Sequence, residues 1–435
     1  MSLGSGRLRD LAEEWYGEIA ADWRIQRFKH LATIRNGQVD PEEPHYKNLP
    51  LFAPNHIESG TGRLLDVESA DEQGAESGKY FVQQGEIVYS KIRPGLRKVT
   101  IAPTDGLCSA DMYPIRPRKH VDSRFLLFAM LSEGFSRYAL LESDRVAMPK
   151  INREALGECV FALPDRRQQG AIAKFLDRKT TAIDALIAKK ERLIELLREK
   201  RQALITQAVT KGLNPNVPMK DSGIAWLGHI PAHWSALPLK RNWSIIDCKH
   251  RTVPFALEGI PLASIGEVQR FDVDLRNAKR TTREEYLQLI EGGRRPHRGD
   301  IIYSRNATVG AAAIVATDEE FAMGQDVCMI RSKAQNPRFL LNSLRSSVVL
   351  QQLDAVMVGA TFKRINVSEI ADLVVCYPPR AEQDQIAAYC DELRSRAEMT
   401  LALVSRHVDL LREYRQALIS AAVTGKLDIS AEDAT

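Results

Sequence analysis

The stretch that most limits what this chain can fold into is Arg166–Lys211, because the chain contains it twice. One copy ends LLREKRQALITQAVTKGL, Leu196–Leu213, and the other LLREYRQALISAAVTGKL, Leu410–Leu427. The offset is 214 residues in a chain of 435. Repetition at half the chain length implies two similar units, each followed by a similar helix. In the first helix Ile172, Leu176, Ile183, Leu193, Leu197 and Leu204 recur at spacings of three, four and seven. In the second the apolar positions include Ile386, Leu393, Leu403, Leu410, Leu411, Tyr414 and Leu418. Proline precedes each helix (Pro164; Pro378–Pro379), and no proline or glycine interrupts Ala171–Lys211 or Ala381–Thr424. A helix of this length spans about 60 Å at 1.5 Å per residue. It outruns a single domain and needs a partner for its apolar stripe.

The charges supply that partner. Arg166–Arg201 holds eleven Lys/Arg and five Asp/Glu, a net of +6, whereas Arg380–Arg415 holds six Arg and seven Asp/Glu, a net of −1. The two helices therefore pair with each other more easily than either pairs with its own copy. An antiparallel pair would put the two domains at opposite ends of a rod. The competing arrangement is two ordinary surface helices, each packed on its own domain. Leu196, Leu197, Leu410 and Leu411 would be internal to the pair or face partner proteins.

The rest of the chain repeats in islands. WYGEIAADW (Trp15–Trp23) returns as WLGHIPAHW (Trp226–Trp234), where Pro231 suggests an extended or turn conformation and an anchor where the chain enters a domain. GEIVYSK (Gly85–Lys91) matches GDIIYSR (Gly299–Arg305), RFLLFAML (Arg124–Leu131) matches RFLLNSLR (Arg338–Arg345), and MPKIN (Met148–Asn152) matches FKRIN (Phe362–Asn366). Between the islands the halves diverge: Asp40–Ser77 has no clear counterpart in Val253–Arg298. Short β-like runs separated by Asn36-Gly37, Ser59-Gly60, Thr61-Gly62 and Asp105-Gly106, plus one helical piece over Ser123–Leu141, predict a compact α+β domain. The expected fold is two similar α+β domains separated by two long helices packed as an antiparallel coiled coil. Its expected segments are an N-terminal piece (1–22, with Met1–Asp10 a loose end), a first domain (23–163), a central spacer helix and linker (164–222), a second domain (223–376), a distal spacer helix (377–429) and a tail (430–435). One scaffold with two different surfaces suggests two related, non-identical ligands.

Composition mainly excludes. At 44% apolar residues there is ample material for cores, and a net charge of +4 permits nucleic acid without demanding it. The six cysteines, Cys108, Cys159, Cys248, Cys328, Cys376 and Cys390, form no C-x-x-C pair and read as buried small hydrophobes in a reducing compartment. No signal segment and no 18-residue apolar run occurs, which predicts a cytoplasmic protein without membrane association. No phosphate-binding Gly-rich loop, dinucleotide fingerprint, H-E-x-x-H or G-x-S-x-G is present. The amino-methyltransferase tetrapeptide is also absent, because Tyr377-Pro378-Pro379-Arg380 lacks its polar and aromatic flanks. His229 and His233 flank Pro231, which argues against a helical metal pair. No catalytic, cofactor or metal residue is therefore expected.

Basic loops remain. Lys91, Arg93, Arg97 and Lys98 bracket Pro94-Gly95; Lys249, His250 and Arg251 cluster; and Arg294, Arg295, His297 and Arg298 precede Gly299. Arg305-Asn306 follows the shared strand, and Lys150 aligns with Arg364, itself preceded by Lys363. Arginine and asparagine can read purine edges, while lysine mostly reaches phosphate. Each cluster alone is compatible with a solvated surface. Recurrence of Lys91/Arg305 and Lys150/Arg364 strengthens the nucleic-acid reading. The unmatched loops are the better candidates for base-specific contacts.

On these residues the chain resembles the specificity (S) subunit of type I restriction–modification systems, from about Trp15 to Leu427. The markers are G-x-I-x-x-x-W at Gly17–Trp23 and Gly228–Trp234, the strand Gly299–Arg305 and A-T-F-K-R-I-N at Ala360–Asn366. P-x-x-E-Q-x-x-I-A at Pro379–Ala387 and the closing Leu410–Leu427 motif complete the set. The first half departs at Gln168 (opposite Glu382), Gly170 (opposite Asp384) and Lys211-Gly212 (opposite Gly425-Lys426), and has Met148-Pro149-Lys150 where the second has Phe362-Lys363-Arg364. The resemblance implies two target-recognition domains, each reading half of a split, asymmetric site on double-stranded DNA. It implies a helical spacer that sets the gap and docks two methyltransferase subunits. Adenine methylation, and cleavage once motor–nuclease subunits join, would then belong to the partners, together with adenosylmethionine, ATP and magnesium. The alternatives are a structural adaptor with paired protein-binding domains, or a single-chain nuclease or methyltransferase.

Overall fold

The computed structural model describes residues 3–143, 149–356 and 364–429. The chain forms two compact units: Met1–Glu191 together with Arg406–Thr435, and Arg192–Ser405. Each long helix contributes one part to each unit. The first runs over Arg166–Lys211 and the second over Arg380–Ala422.

The first unit opens and closes its β portion on one antiparallel ladder, Arg24–Arg27 against Val160–Leu163. Beyond it an antiparallel sheet is ordered Ala32–Ile34, Met112–Pro117, Ile87–Ser90, Val99–Ile101. A second sheet is ordered Gln38–Val39, Lys79–Val82, Gly106–Cys108, Leu51–Phe52, its last pair parallel. The run Ile87–Ser90 is buried throughout, as a central strand requires. Ile87, Tyr89 and Ile115 share a core with the helix Ser123–Leu131, in which every residue from Phe125 to Leu131 is buried.

The second unit repeats this plan. Ser235–Pro238 pairs with Val374–Tyr377, and the main sheet is ordered Ser244–Asp247, Val327–Arg331, Ile301–Ser304, Ala312–Ile314. A smaller sheet, Arg280–Thr281, Ile260–Ala263, Ala322–Met323, again ends in a parallel pair. The matched runs GEIVYSK and GDIIYSR thus supply the same central strand in both units.

The expectation of two α+β units with an antiparallel helix pair holds. In the first unit Ile172, Leu176 and Ile183 share a core with Leu418, Ile419 and Ala422. Asp184 Oδ1 receives Arg415 Nε at 2.8 Å and Glu191 Oε1 receives Arg412 Nη2 at 2.7 Å, so residue numbers rise along one helix as they fall along the other. In the second unit Ile205 and Val209 share a core with Ile386 and Cys390. Each long helix is also bonded to the domain that precedes it, through Gln169 to Asp122 N and Gln383 to Asn336 N, so both arrangements anticipated from the sequence occur together. Of the consecutive leucines, Leu197 and Leu411 are half-buried, while Leu196 and Leu410 are 45% and 43% exposed.

Two expectations need correction. Residues 3–16 are not a loose end but a helix, Leu3–Tyr16. Its Ala12 is fully buried, Trp15 packs edge-on to Tyr138 at 5.4 Å, and Arg9 donates to the carbonyls of Ile19, Ala20, Ala21 and Trp23. Tertiary contacts outweigh the poor helix propensity of its glycines. The single helical piece expected over Ser123–Leu141 is two helices, Ser123–Leu131 and Glu133–Leu141. Ser132 is extended between them (φ −64°, ψ 158°), and its hydroxyl accepts from Phe135 N as an N-cap.

The repeated tryptophans anchor each unit against the end of a long helix. Trp234 is 1% exposed and packs with Ala208 and Val209, and Trp23 is 4% exposed in the core that holds Ala422. The inverted Lys211-Gly212 and Gly425-Lys426 pairs have a shared purpose. Gly212 (φ +77°) and Gly425 (φ +75°) both terminate a helix in the left-handed region. A β-carbon would lie 3.2 Å from Trp234 at the first and 3.0 Å from Trp23 at the second.

A buried glutamine locks the start of each helix to its domain. Gln169 accepts from Asp122 N (2.8 Å) and donates to Pro164 O (2.9 Å); Gln383 accepts from Asn336 N (2.9 Å) and donates to Pro378 O (2.9 Å). Asp122 and Asn336 in turn cap the helices that follow them. Gln383→Leu should therefore cost about 1–3 kcal/mol, the penalty of leaving buried backbone groups unpaired. Urea unfolding should show a lower midpoint at unchanged m-value. All six cysteines are buried, as expected of small hydrophobes. Among the described residues no helix is long and apolar enough to cross a membrane.

Candidate nucleic-acid interface

The matched basic positions are brought together in each unit by one shared backbone device. In the first unit the strand Ile87–Ser90 runs into Lys91, whose carbonyl accepts from Ile151 N at 3.0 Å while Ile92 bridges Lys150. In the second, Ile301–Ser304 runs into Arg305, whose carbonyl accepts from Ile365 N at 2.9 Å while Asn306 bridges Arg364. The strand's serine repeats too: Ser90 Oγ donates to Ile92 O and Ser304 Oγ to Asn306 O. The pairs Lys91/Lys150 and Arg305/Arg364 therefore stand at the same place on the same frame. Lys363 lies outside the described residues.

The surroundings of this device differ between the units. In the first, Arg93 and Arg97 both hold left-handed backbone (φ 47° and 49°) on either side of the 3₁₀ turn Pro94–Leu96. That conformation is costly for a non-glycine residue and often accompanies function. Lys91 Nζ lies 5.6 Å from the Tyr113 ring, and the Arg153 guanidinium lies 5.2 Å from the same ring and 5.9 Å from Tyr80. Tyr113 OH donates to Ile151 O at 3.1 Å. Burial pushes that phenol's pKa up, so it remains a donor. Lys98 instead donates to Pro54 O. Among the described residues Lys91, Arg93, Arg97, Lys150 and Arg364 have no carboxylate partner. These cations are available to phosphate.

In the second unit most of the named cations are already matched. Arg305 is 5% exposed and paired with Asp247. Lys249 pairs with Glu291, Arg251 with Glu285 at 2.9 Å, Arg295 with Glu320 at 3.0 Å and Arg298 with Asp318 at 3.0 Å. Arg294 donates to the carbonyls of Asp247 and Glu291, each at 2.9 Å. The bonds from Lys249 and Arg298 hold the Glu291 and Asp318 carboxyls below their usual range. Sequence reasoning missed these acids, and it missed Arg153, Tyr80 and Tyr113. Arg153 lies next to the shared Ile-Asn but opposite Val367, so comparing the copies passes over it.

Asp247, Cys248 and His250 bring possible metal-ligating atoms within 4.8 Å of one another. The Asp247 carboxylate is already engaged by Arg305 and by His250 Nε2 at 2.9 Å, and the guanidinium opposes a second cation there. His233, singled out with His229, faces Glu382 at 2.8 Å, and the same carboxylate accepts from Trp234 Nε1 at 2.6 Å. His229 lies on a short strand, His229–Pro231, so the two are not on one helical face.

The family described as Type I restriction modification DNA specificity domain matches residues 21–196 and 263–401. The type I restriction enzyme EcoDI specificity subunit of Escherichia coli is 35% identical over 190 residues, 44% of this chain and 42% of that protein. The EcoBI specificity subunit of Escherichia coli is 23% identical over 320 residues, 70% of this chain and 66% of that protein. The chain thus aligns with less than two thirds of the length of these relatives. A solved structure from work on complex assembly and conformational transition of the type I R-M system superimposes with a TM-score of 0.76 at 16% identity, over 94% of this chain and 100% of the other. The HsdS subunit from Thermoanaerobacter tengcongensis gives 0.53 at 17% identity, over 94% and 98%. At these identities the structural likeness is one of fold. The family match covers well over half of the chain, which belongs to the type I restriction–modification DNA specificity domain family.

Proposed function

We propose that this chain is the recognition subunit of a cytoplasmic type I restriction–modification complex, reading a bipartite, asymmetric site on double-stranded DNA. Residues 23–163 read one half-site and residues 223–376 the other. The observation that carries this reading is the repeated strand-end bridge, which presents basic side chains at one position on two frames whose other loops differ. Lys91, Arg93, Arg97 and Lys150 contact phosphate in the first domain, and Asn306 and Arg364 serve in the second, where Arg305 is buried behind them. The unmatched loops 40–77 and 253–298 carry base discrimination, because phosphate contacts alone position without specifying. The helices set the gap and dock two methyltransferase subunits. Exposed apolar side chains such as Leu403 (64%) and Tyr414 (57%) support that second role. Methylation of adenine, and restriction once motor–nuclease subunits join, are the partners' chemistry.

The test is selection from a randomised duplex pool by the chain together with its methyltransferase partner. The expected result is enrichment of two short motifs at a fixed gap, with no methylation or cleavage by the chain alone. An adaptor would enrich nothing, and a single-chain enzyme would modify DNA unaided.

A further inference from the structure

The second unit contains a cleft of about 860 Å³ between its long-helix segments and its β portion. Its walls are the central helix, the distal helix, the helix Pro337–Leu344 and the segment Arg270–Arg276. We propose that this cleft is a binding site for a phosphate-bearing small anion, held by Arg201, Arg345 and Arg394.

The duplication provides the internal comparison. In the first unit Arg415 occupies the position equivalent to Arg201, and Asp184 the position equivalent to Glu398. Arg415 is fully engaged: Asp184 receives it at 2.8 and 3.2 Å, and the carbonyls of Gly60 and Thr61 accept at 2.9 and 3.1 Å. Arg201 has no hydrogen bond or ion pair among the described residues, although it is half-buried. The second unit then adds two cations to this one. Arg345 stands where the first unit has Leu131, and Arg394 where it has Thr180.

The added positive charge is only partly offset: Asp391 pairs with Arg394, and Asp272 acts on Arg345 from beyond ion-pair distance. Arg345 donates to Ala312 O at 2.9 Å and Gln269 O at 3.2 Å but meets no carboxylate. Desolvation, with Arg394 and then Arg201 beside it, pushes its guanidinium pKa down to about 10. Arg394 shares Asp391 with Arg338, and its guanidinium carbon lies over the Phe271 ring, 3.2 Å from the centroid. Stacking of this kind fixes the plane of the donor fork. Of the acids lining the cleft, Asp274 is taken by Arg270 and Arg276, and Asp272, Glu319 and Glu398 are exposed to solvent.

The chemistry selects the ligand. Arg201 and Arg345 lack any carboxylate, and Arg394 has half of one. A phosphate dianion offsets two positive charges and offers several acceptor oxygens to guanidinium forks. A single carboxylate would leave a charge uncompensated. The anion could be inorganic phosphate or the phosphate tail of a nucleotide, and the two are separable by titration.

The experiment is calorimetric titration of the full chain with inorganic phosphate, with ATP and with a short duplex, in constant chloride. Saturable one-site binding of phosphate or ATP is expected. Arg201→Gln should weaken it about tenfold or more, as loss of a charge-assisted bond predicts, and should change the melting temperature little because Arg201 has no hydrogen bond or ion pair to lose. Arg394→Thr, which imports the first unit's residue, should weaken it as well, and Arg298→Gln should not. Tighter binding of ATP than of phosphate assigns the site to nucleotides; equal binding assigns it to the phosphate group. No saturable binding of either anion, or binding that Arg201→Gln leaves unchanged, overturns the proposal. So does an effect confined to the duplex. The phosphate and ATP titrations contain no DNA, so their failure would leave the recognition reading standing.

Discussion

Replacing Asp247 by alanine should destabilise the second unit by about 2–4 kcal/mol. Breaking a fully buried ion pair costs about 3–5 kcal/mol, because the surviving charge is left in a poorly solvating interior. Arg305 is that surviving charge. It is 5% exposed, follows the central strand Ile301–Ser304, and has Asp247 as its carboxylate partner. Asp247 is itself 31% exposed, so water would reach part of the vacated space and reduce the cost. The loss should appear as a lower urea midpoint at constant m-value and a fall in melting temperature of roughly 5–12 °C for a unit of this size. Asp247→Ala combined with Arg305→Met should recover much of the stability, because removing both partners leaves no buried charge. A single variant within about 0.5 kcal/mol of the parent would contradict a buried pair here. The position also bears on recognition. Arg305 supplies the carbonyl that holds Ile365, and so places Arg364 at the surface beside Asn306.

The parts of this molecule that are legible in its sequence are those with a long period or a second copy. The two helices could be traced because their apolar residues keep one spacing for over forty residues without a breaker. The central strands could be placed because GEIVYSK and GDIIYSR vouch for each other. What was hidden depends on contacts between distant residues. Helix Leu3–Tyr16 begins among glycine and serine and is held by Arg9 and Trp15, whose partners lie 14 or more residues away in the case of Trp23 and Tyr138. The break at Ser132 is a single hydroxyl choosing to cap rather than continue. The two-residue strand Leu51–Phe52, paired in parallel with Leu107–Cys108, is too short for any alternation to show. At the candidate interface the sequence located the basic residues but not their state. Lys91 and Arg305 occupy equivalent positions, yet one lies over an aromatic ring and the other is buried against a carboxylate. Nothing near Lys249, Arg251, Arg295 or Arg298 in sequence announced Glu291, Glu285, Glu320 and Asp318. Gln169 and Gln383 illustrate the converse. The glutamine was visible within a motif, but its task became clear only when its amide was seen to join two backbone segments.

Exchanging residues 24–163 for the corresponding segment of a relative with a different target should change one half-site and leave the other unchanged. The ladder pairing Arg24 with Leu163 brings both chain crossings together, so a graft cut there keeps one intact seam. Contacts from the exchanged segment to the long helices must survive the graft, among them the bond from Asp122 N to Gln169. Arg124 pairs with Asp177 on the long helix, and Gly60 and Thr61 receive Arg415 through their carbonyls. The last two contacts are backbone acceptors, which a donor loop of another sequence can still provide. The effect should be large. Each mismatched base pair costs about 1–3 kcal/mol, so a changed half-site should shift preference by on the order of 10³-fold.

The most direct measurement of the central claim is therefore motif enrichment from a randomised duplex pool by the parent and the 24–163 exchange, each with its methyltransferase partner. Two bipartite motifs are expected that share one half-site and the gap and differ in the other half-site. Two motifs that differ in both halves, or the same motif from both proteins, would contradict it.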